Sequence, residues 1–253
     1  MARVKRRPGI GRVTRYCVPV AAVAGPTVLL NADYLTDTIL NDVSAPAGNL
    51  DALSSWATAT GGTFTKALAV AAGASVVDGP FYVTTSGIHT DGVNVALTVA
   101  TPITIPANTD CVIYVKVKLQ MTSQLTVFGN SASDTRLELF GDWDTAASFA
   151  IANAGSDGVT AFWGTAVTTA TLYRLRRSGS TWYAARTGDA EQTMTGFGTT
   201  TAAISINTLL AYSSTGSGLN QFSQGGNYLQ KLYIRSGTST PDTDYETANG
   251  GTL

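Results

Sequence analysis

The chain has few charged residues and no long apolar run. Asp, Glu, Lys and Arg make up only 13% of its 253 residues, well below the roughly 25% that is usual for soluble domains. The main apolar stretch, residues 18–30, is too short to span a membrane and is interrupted by Pro19 and Pro26. We therefore expect no membrane insertion.

Cysteine and histidine are scarce, which limits metal and nucleophile chemistry. Cys17 and Cys111 have no metal-binding spacing, and a disulfide between them stays an open alternative. Cys111 opens an apolar alternating stretch, so we expect it in the core as a small hydrophobic residue. The single histidine, His89, lies in residues 86–92, a pattern typical of an exposed turn. No nucleophile-elbow motif accompanies it, which argues against a catalytic triad.

Threonine and glycine are abundant instead. The sequence contains 38 Thr and 26 Gly, and the first favours pleated strands while the second supplies turns. Residues 111–119 place Ile113 and Val115 on one face and Tyr114 and Lys116 on the other, which is the period of a half-buried strand. Roughly a dozen short runs of this kind, without long helices, predict an all-β protein with two packed antiparallel sheets.

Positive charge is concentrated at the N-terminus. Six of the 16 basic residues lie in the first sixteen positions, and no acidic residue precedes Asp33. These six are Arg3, Lys5, Arg6, Arg7, Arg12 and Arg15. The remaining chain has 10 basic residues against 17 acidic ones. An arm of this kind cannot build a core and needs an acidic partner, a protein or a nucleic acid, to become ordered. Tyr16 is the only aromatic residue beside these charges, so base stacking is not evident and a protein partner is favoured.

A secretory signal is the alternative interpretation of the same segment. The basic start, the apolar run and the small residues Ala22, Val23 and Ala24 fit a signal with a cleavage site. Pro19 and Pro26 interrupt the run and argue against it. The docking arm is therefore the preferred interpretation.

The chain is divided into three parts on this basis. Residues 1–30 form the docking arm, residues 31–62 a connector and residues 63–253 the β-sandwich domain. In the connector, residues 33–40 and 49–56 each place a capping residue before apolar positions three and four apart. Each segment is predicted to be either a short helix or a loop with a first strand.

Four features of the sandwich segment occur in a characteristic order. They are a Trp- and Gly-rich opening over 56–64, the strand over 111–119, a hairpin "Y-R-L-R-R-S-G-S-T-W-Y" over 173–183 and a closing strand "L-Q-K-L-Y-I-R" over 229–235. In this order they resemble the concanavalin-like lectin and glucanase superfamily, which includes laminin-G-like domains. The resemblance implies an antiparallel jelly-roll sandwich over about residues 64–237, preceded by an extended N-terminal arm.

The Ala-, Thr- and Gly-rich composition and the basic arm also resemble structural proteins of tailed phages, which often carry such domains as fibre tips or surface decorations. The resemblance implies a homo-oligomeric virion protein at the head or tail surface. Its arm would bind other virion proteins and its sandwich would attach to host-surface glycans, as in a tail fibre or adhesin. The alternative is a capsid decoration or cement protein that stabilises neighbouring subunits without binding glycan.

Aromatic side chains near carboxylates are the candidate glycan-binding residues, because jelly-roll faces hold sugars on aromatic platforms. The candidates are Trp143 with Asp142 and Asp144, Trp163, and Trp182 with Tyr183. Each tryptophan could instead belong to the core, since a sandwich of this size needs large aromatics between its sheets. Solvent-facing tryptophans would favour adhesion, and buried ones the decoration role. Asp142 and Asp144, or residues 153–157, could also hold calcium through oxygen ligands, although we expect no cofactor.

Glycoside hydrolysis is the third function considered. Glucanases of the resembled superfamily use acidic residues that alternate along one strand and project together into the cleft. Here only Asp142 and Asp144 have that spacing, because Glu138 lies four positions before Asp142. Gly141 also suggests that the strand has already ended. We therefore expect a protein without enzymatic activity.

Overall fold

The computed structural model describes residues 25–41, 51–68, 81–83, 86–89, 95–119, 124–143, 146–153, 156–163, 167, 169–196, 201–213, 221–222, 227–251 and 253. The strands are β1 (Thr27–Asp33), β2 (Thr38–Asn41), β3 (Asp51–Ala57), β4 (Thr63–Leu68), β5 (Phe81–Val83), β6 (Gly87–His89), β7 (Val95–Ile105), β8 (Cys111–Lys118), β9 (Gln124–Asn130), β10 (Ser133–Trp143), β11 (Ala146–Asn153), β12 (Ser156–Phe162), β13 (Thr171–Ser178), β14 (Thr181–Arg186), β15 (Gln192–Thr193), β16 (Thr195–Gly196), β17 (Ile204–Leu209), β18 (Ala211–Tyr212), β19 (Gln221–Phe222) and β20 (Tyr228–Ser236). A short helix, α1 (Thr243–Asn249), follows the last strand.

Apart from the short pair β18–β19, the described strands form two antiparallel sheets. In sheet A, β20 lies between β8 on one side and β1 and β6 on the other, and β8 is followed outwards by β13, β14 and β15. Sheet B has the order β2, β3, β4, β7, β17, β9, β10, β11, β12, β16. Every one of these pairings is antiparallel, so the predicted all-β antiparallel sandwich is confirmed.

The main core lies between the two sheets. Each sheet contributes buried aliphatic side chains to it through the period-two alternation of its strands. Sheet A contributes Ile113, Val115, Leu175, Leu232 and Ile234, and sheet B contributes Leu97, Leu125, Leu137, Leu139 and Ile206. Burial of each such side chain is worth about 1.5–3 kcal/mol, so this alternation is what holds the sheets face to face.

Cys111 lies in this core as a free thiol, as its position at the start of an apolar strand predicted. Burial is the main cause that raises the pKa of the thiol to about 11, and the nearby Arg177 opposes the shift. The thiol is therefore protonated at neutral pH and behaves as a small hydrophobic side chain. Cys17 lies outside the described residues.

The hairpin predicted around a Ser-Gly-Ser turn is also confirmed. β13 and β14 pair from Tyr173 opposite Arg186 to Ser178 opposite Thr181, which leaves a two-residue turn. The first turn residue, Gly179, has a φ of +59°, as the first central position of a II′ turn requires. This turn sets the register of β13, and the register decides which of its arginines face the core.

The first strands of the sandwich lie in segments that the sequence assigned to the arm and the connector. β1 pairs with β20 in sheet A, and β2 and β3 pair in sheet B. Residues 33–40 and 49–56 were each predicted to be either a short helix or a loop with a first strand. The helix alternative is wrong, because the described parts of both segments are strands, with a turn over 34–37. Cross-strand pairing provides backbone partners that an isolated one- or two-turn helix cannot match. Residues 1–24, including the six basic residues of the arm, lie outside the described residues.

Two predicted turns are strands. The prediction of a turn at Gly141 is wrong, because β10 continues through this residue to Trp143. The pairing of β10 with β11 shifts its register after Phe140. Glycine is accommodated at such an irregularity. The prediction of a turn at His89 is also wrong, because this residue belongs to β6, which pairs with both β5 and β20. Gly87, which begins β6, has a φ of +108°, and a Cβ there would lie 2.6 Å from the Leu229 carbonyl oxygen. The side chain of His89 lies outside the described residues.

A second, smaller core covers the outer face of sheet A. Tyr114 was expected on the exposed side of a half-buried strand, but it is fully buried together with Val112 and Leu172. The cover is α1, whose Tyr245 stacks on Tyr233 with 4.4 Å between ring centroids and lies 5.0 Å from Tyr114. Within the described ranges, no helix has the length and hydropathy of a membrane span.

Candidate functional site

A row of charged side chains lies on the face of sheet B that points away from the core. Asp134, Arg136 and Glu138 alternate with core residues such as Leu137 along β10, so they project to the same side. We call these three residues the β10 charged row. Arg136 bonds to both acidic neighbours: its Nη1 donates to Asp134, and its Nε donates to Glu138 at 2.8 Å.

The row goes from buried to partly exposed along the strand. The side chain of Glu138 is 4% exposed, whereas those of Arg136 and Asp134 are 17% and 20% exposed. Thr126, directly opposite on β9, donates a long hydrogen bond of 3.5 Å to Glu138. Glu138 thus anchors the guanidinium, and the Asp134 end of the row is the end that a ligand can reach.

A polar cluster fixes the turn that leads into β10. Asn130 donates from Nδ2 to the Ser205 carbonyl at 3.0 Å and accepts the Ala132 amide at 2.8 Å. Asn207 accepts the Ser131 amide and donates to the Ser131 hydroxyl, both at 2.9 Å. These bonds tie the β9–β10 turn to β17, so the accessible end of the charged row is rigidly positioned.

Two tryptophans predicted as sugar platforms lie in the core instead. Trp182 is 3% exposed and Trp163 is 8% exposed. The Arg177 guanidinium lies 5.5 Å from the Trp182 ring centroid, and Arg186 lies 5.3 Å from that of Trp163. Neither ring offers a face to solvent, so the structure favours the alternative that both tryptophans belong to the core.

Trp182 and Tyr183 do not form one platform, because adjacent residues of a strand point to opposite faces. Tyr183 lies on the outer face of sheet A and is partly exposed. The Arg176 guanidinium lies 3.9 Å from its ring centroid. Arg176 also makes a bidentate pair with Glu191, at 2.9 and 2.5 Å, which is the main cause that lowers the pKa of that carboxyl group. One face of the Tyr183 ring is therefore covered by a cation that is itself held in place.

The side chains of the remaining candidates lie outside the described residues. Asp142 and Trp143 form the end of β10, but their side chains lie outside the described residues, as does the whole of Asp144. The candidate calcium segment 153–157 spans the end of β11 and the start of β12, and its side chains also lie outside the description. In the described part of the chain, no group of three or more His, Cys, Asp or Glu side chains could hold a metal ion.

Glu138 was excluded from a glucanase-type carboxylate triplet by its spacing, and Asp134 and Arg136 were not among the predicted site residues. The signal was present, since "D-T-R-L-E" places charges at every second position of a strand. A strand buried on one face and carrying three alternating charges on the other presents them together. Arg136 is the residue that distinguishes this arrangement from the carboxylate triplet of a glucanase.

No protein-family model and no curated protein sequence matches the chain. Several solved structures are similar to it. Domain 4 of AbnA, a GH43 extracellular arabinanase from Geobacillus stearothermophilus solved with arabinotriose, has 14% identity, a TM-score of 0.47 and coverage of 86% of this chain and 96% of that one. The CBM40 of Ruminococcus gnavus IT-sialidase, bound to α2,6-sialyllactose, has 9% identity, a TM-score of 0.38 and coverage of 61% and 96%. The alginate lyase AlyC3 has 9% identity, a TM-score of 0.36 and coverage of 80% and 88%. At these TM-scores the similarities assign no function to this chain.

Proposed function

We propose that the chain is a virion structural protein whose sandwich attaches to a host-surface glycan through the β10 charged row. The row is the observation that carries this proposal. The Asp134 carboxylate and the Arg136 guanidinium, fixed side by side and anchored by the buried Glu138, offer the planar hydrogen-bonding groups that recognise sugar hydroxyls. The N-terminal arm docks the protein to the particle, which the six basic residues among the first sixteen support.

The protein acts in this proposal by binding and not by catalysis. Glycoside hydrolysis needs two carboxyl groups that flank the scissile bond, one of them available as a proton donor. Asp134 and Glu138 are instead held by the same guanidinium, and Glu138 is almost fully buried. This arrangement supports hydrogen bonding to a ligand better than proton transfer.

Replacing Asp134 with asparagine is expected to weaken glycan binding about tenfold or more, because a hydrogen bond to a charged group is worth about 1.5–3 kcal/mol. The fold should be little affected, since Arg136 keeps its bond to the buried Glu138. A glycan array followed by calorimetry on the best ligand measures the effect.

Asp244→Asn is the matched control for this substitution, because Asp244 is an exposed aspartate of α1 on the other sheet. It should bind the ligand as the unmodified chain does. Equal affinities for D134N and D244N would remove the charged row from the proposal. An array without any bound glycan would end the attachment function itself.

Deleting residues 1–15 is expected to lower incorporation of the protein into particles at least tenfold, because the six arm charges supply the electrostatic part of docking. Quantitative mass spectrometry of purified particles measures the incorporation, and circular dichroism checks that the sandwich still folds. Incorporation at the normal level would show that the arm does not dock the protein.

A capsid decoration or cement protein is the second candidate function. It is favoured by the burial of every tryptophan whose side chain the structure describes, namely Trp56, Trp163 and Trp182. In this case the outer sheet faces contact neighbouring subunits and no sugar is bound. Particles that lack the chain should then be less resistant to heat or chelators, while adsorption to host cells stays unchanged.

A further inference from the structure

A second charged surface lies on the outer face of sheet A, away from the β10 charged row. Lys116 and Lys118 project from β8 on the side opposite to the core residues Val115 and Val117. On the neighbouring β20, Lys231 lies opposite Lys116, and Tyr228 lies opposite Lys118. We call Lys116, Lys118, Lys231 and Tyr228 the lysine patch.

The lysine patch places like charges side by side. Residues directly opposite each other on antiparallel strands have Cβ atoms about 4.5–5.5 Å apart, and two like charges there are destabilising. Lys231 is relieved by Asp33, at 2.7 Å from its Nζ. Lys116 has no carboxylate within 4.0 Å among the described residues. One carboxylate therefore serves two cross-strand lysines.

The rest of the domain makes this surplus unusual. After the arm, the chain has 10 basic residues against 17 acidic ones, so carboxylate partners are in excess. Six of the ten basic residues form ion pairs: Arg136, Arg174, Arg176, Arg186, Lys231 and Arg235. Arg177 is buried and donates hydrogen bonds to backbone carbonyls. Lys66 also has an interaction partner. Among the residues that the structure describes, this leaves Lys116 and Lys118 without an ion pair, two positions apart on one strand face.

The surroundings keep these two ammonium groups incompletely compensated. Burial, followed by repulsion from Lys231, lowers the pKa of Lys116, while Asp33 acts in the opposite direction. Lys118 lies 5.3 Å from the centroid of the Tyr228 ring, a cation–π contact that holds the side chain without neutralising it. A bound anion would relieve the repulsion and supply the missing acceptors.

We propose that the lysine patch binds the anionic group, a carboxylate or a sulfate, of an acidic glycan. This assignment rests on the glycan attachment proposed above and adds a second, separate contact surface, on sheet A, for the acidic groups of the same glycan. Two adjacent ammonium groups suit one acidic substituent, and Tyr228 provides an aromatic edge beside it. A nucleic acid fits less well, because a surface that carries net negative charge repels a continuous chain of phosphates outside this small area.

The test compares the affinities of soluble polysaccharides for full-length protein. Because the arm would itself attract polyanions, its six basic residues are replaced by glutamine in every sample. The probes are polygalacturonate for carboxylate, dextran sulfate for sulfate, neutral dextran, and a single-stranded oligonucleotide. The variant is Lys116→Gln with Lys118→Gln, and Lys66→Gln, on sheet B, is the control.

We expect polygalacturonate or dextran sulfate to bind in preference to neutral dextran, and K116Q/K118Q to weaken that binding about tenfold or more. K66Q should bind as its parent does. The probe whose affinity falls identifies the acidic group, and stronger binding at low salt supports its charge.

Unchanged affinity in K116Q/K118Q would overturn the assignment, and so would equal binding of neutral dextran. Oligonucleotide binding that is as tight and as sensitive to K116Q/K118Q would also overturn it in favour of phosphate. In each of these cases the glycan attachment itself still stands if D134N lowers the affinity for a neutral sugar. Failure of every sugar to bind any variant ends both proposals together.

Discussion

Replacing Arg177 with methionine is expected to lower the free energy of unfolding by about 3 kcal/mol or more. Arg177 is fully buried at one end of the main core, where it lies opposite Cys111 on β8. Its Nε donates to the Thr109 carbonyl at 2.8 Å, Nη1 to Ala202 at 2.9 Å and Nη2 to Pro106 at 2.7 Å. The guanidinium thus joins the β7–β8 loop and the segment before β17 to the hairpin.

The size of this effect follows from what the substitution leaves behind. Methionine keeps most of the volume and the contact with Trp182, but the three carbonyl oxygens lose their donors. A polar group that is fully buried without a partner costs about 1–3 kcal/mol, and these three carbonyls belong to partly exposed loop residues. Loop movement can let water reach some of them, which keeps the expected total near the lower end of the sum.

Chemical denaturation of R177M and of Arg176→Met measures the difference. Arg176 is the adjacent arginine on the same strand, but its side chain faces outwards, is 21% exposed and pairs with Glu191. Its loss should cost no more than about 1 kcal/mol, as is usual for an ion pair near the surface. If the two variants prove equally stable, the three carbonyls do not depend on Arg177. Lysine at position 177 should give an intermediate stability, since it lacks the planar fork that reaches three acceptors.

The fold could be predicted from the sequence to a large extent because strands are encoded locally. The alternation from Cys111 to Leu119, the turn at Gly179 and the closing run into Ser236 each depend on neighbouring residues. Their positions in the structure agree with these patterns. Strand order does not follow from alternation, because it depends on contacts between residues far apart in sequence.

The environments of individual side chains could not be predicted in the same way. Alternation places Arg177 on the core face of β13, but only the loops that reach it explain how a guanidinium is satisfied there. Tyr114 is similarly buried by a helix that lies more than a hundred positions further along the chain. The sequence around Trp163 and Trp182 is compatible both with a sugar-binding surface and with a place in the core, so only the structure shows that both are buried.

The helix α1 illustrates a local signal that was present and missed. Asp242 accepts the Tyr245 amide as an N-cap, acidic residues occupy the first turn, and Gly250 closes the helix with a φ of +146°. These are ordinary start and stop signals. A helix of seven residues is nevertheless marginal by itself, so its formation depends on the sheet surface that it covers.

Replacing Glu246 with alanine is expected to release α1 from sheet A and to lower the free energy of unfolding by about 3 kcal/mol. Glu246 is 1% exposed. Its carboxylate accepts hydrogen bonds from the Tyr114 hydroxyl at 3.0 Å, from Arg174 Nη1 at 2.5 Å and from the Leu253 amide at 3.2 Å. One side chain therefore connects the helix, the sheet and the end of the chain.

Removing this carboxylate leaves a buried guanidinium with less compensation. Arg174 keeps its bond to Glu191 at 2.8 Å, but Nη1 then retains only the Leu253 carbonyl at 3.3 Å. Its Nε already has no partner among the described residues. The Tyr114 hydroxyl also loses its acceptor, since it donates to no other described residue. With these donors left without partners, release of the helix is expected to be more favourable than keeping it docked.

Hydrogen exchange by mass spectrometry distinguishes release of α1 from general destabilisation. In E246A, the amides of residues 243–249 should exchange much faster, while those of β8 and β13 stay protected, because the main core between the sheets is untouched. Asp244→Asn removes an acidic charge from the exposed side of the same helix and should leave the exchange nearly unchanged. Equal protection of α1 in E246A and D244N would contradict this prediction. It would mean that the buried carboxylate does not hold the helix and that stacking of Tyr245 on Tyr233 is sufficient to dock it.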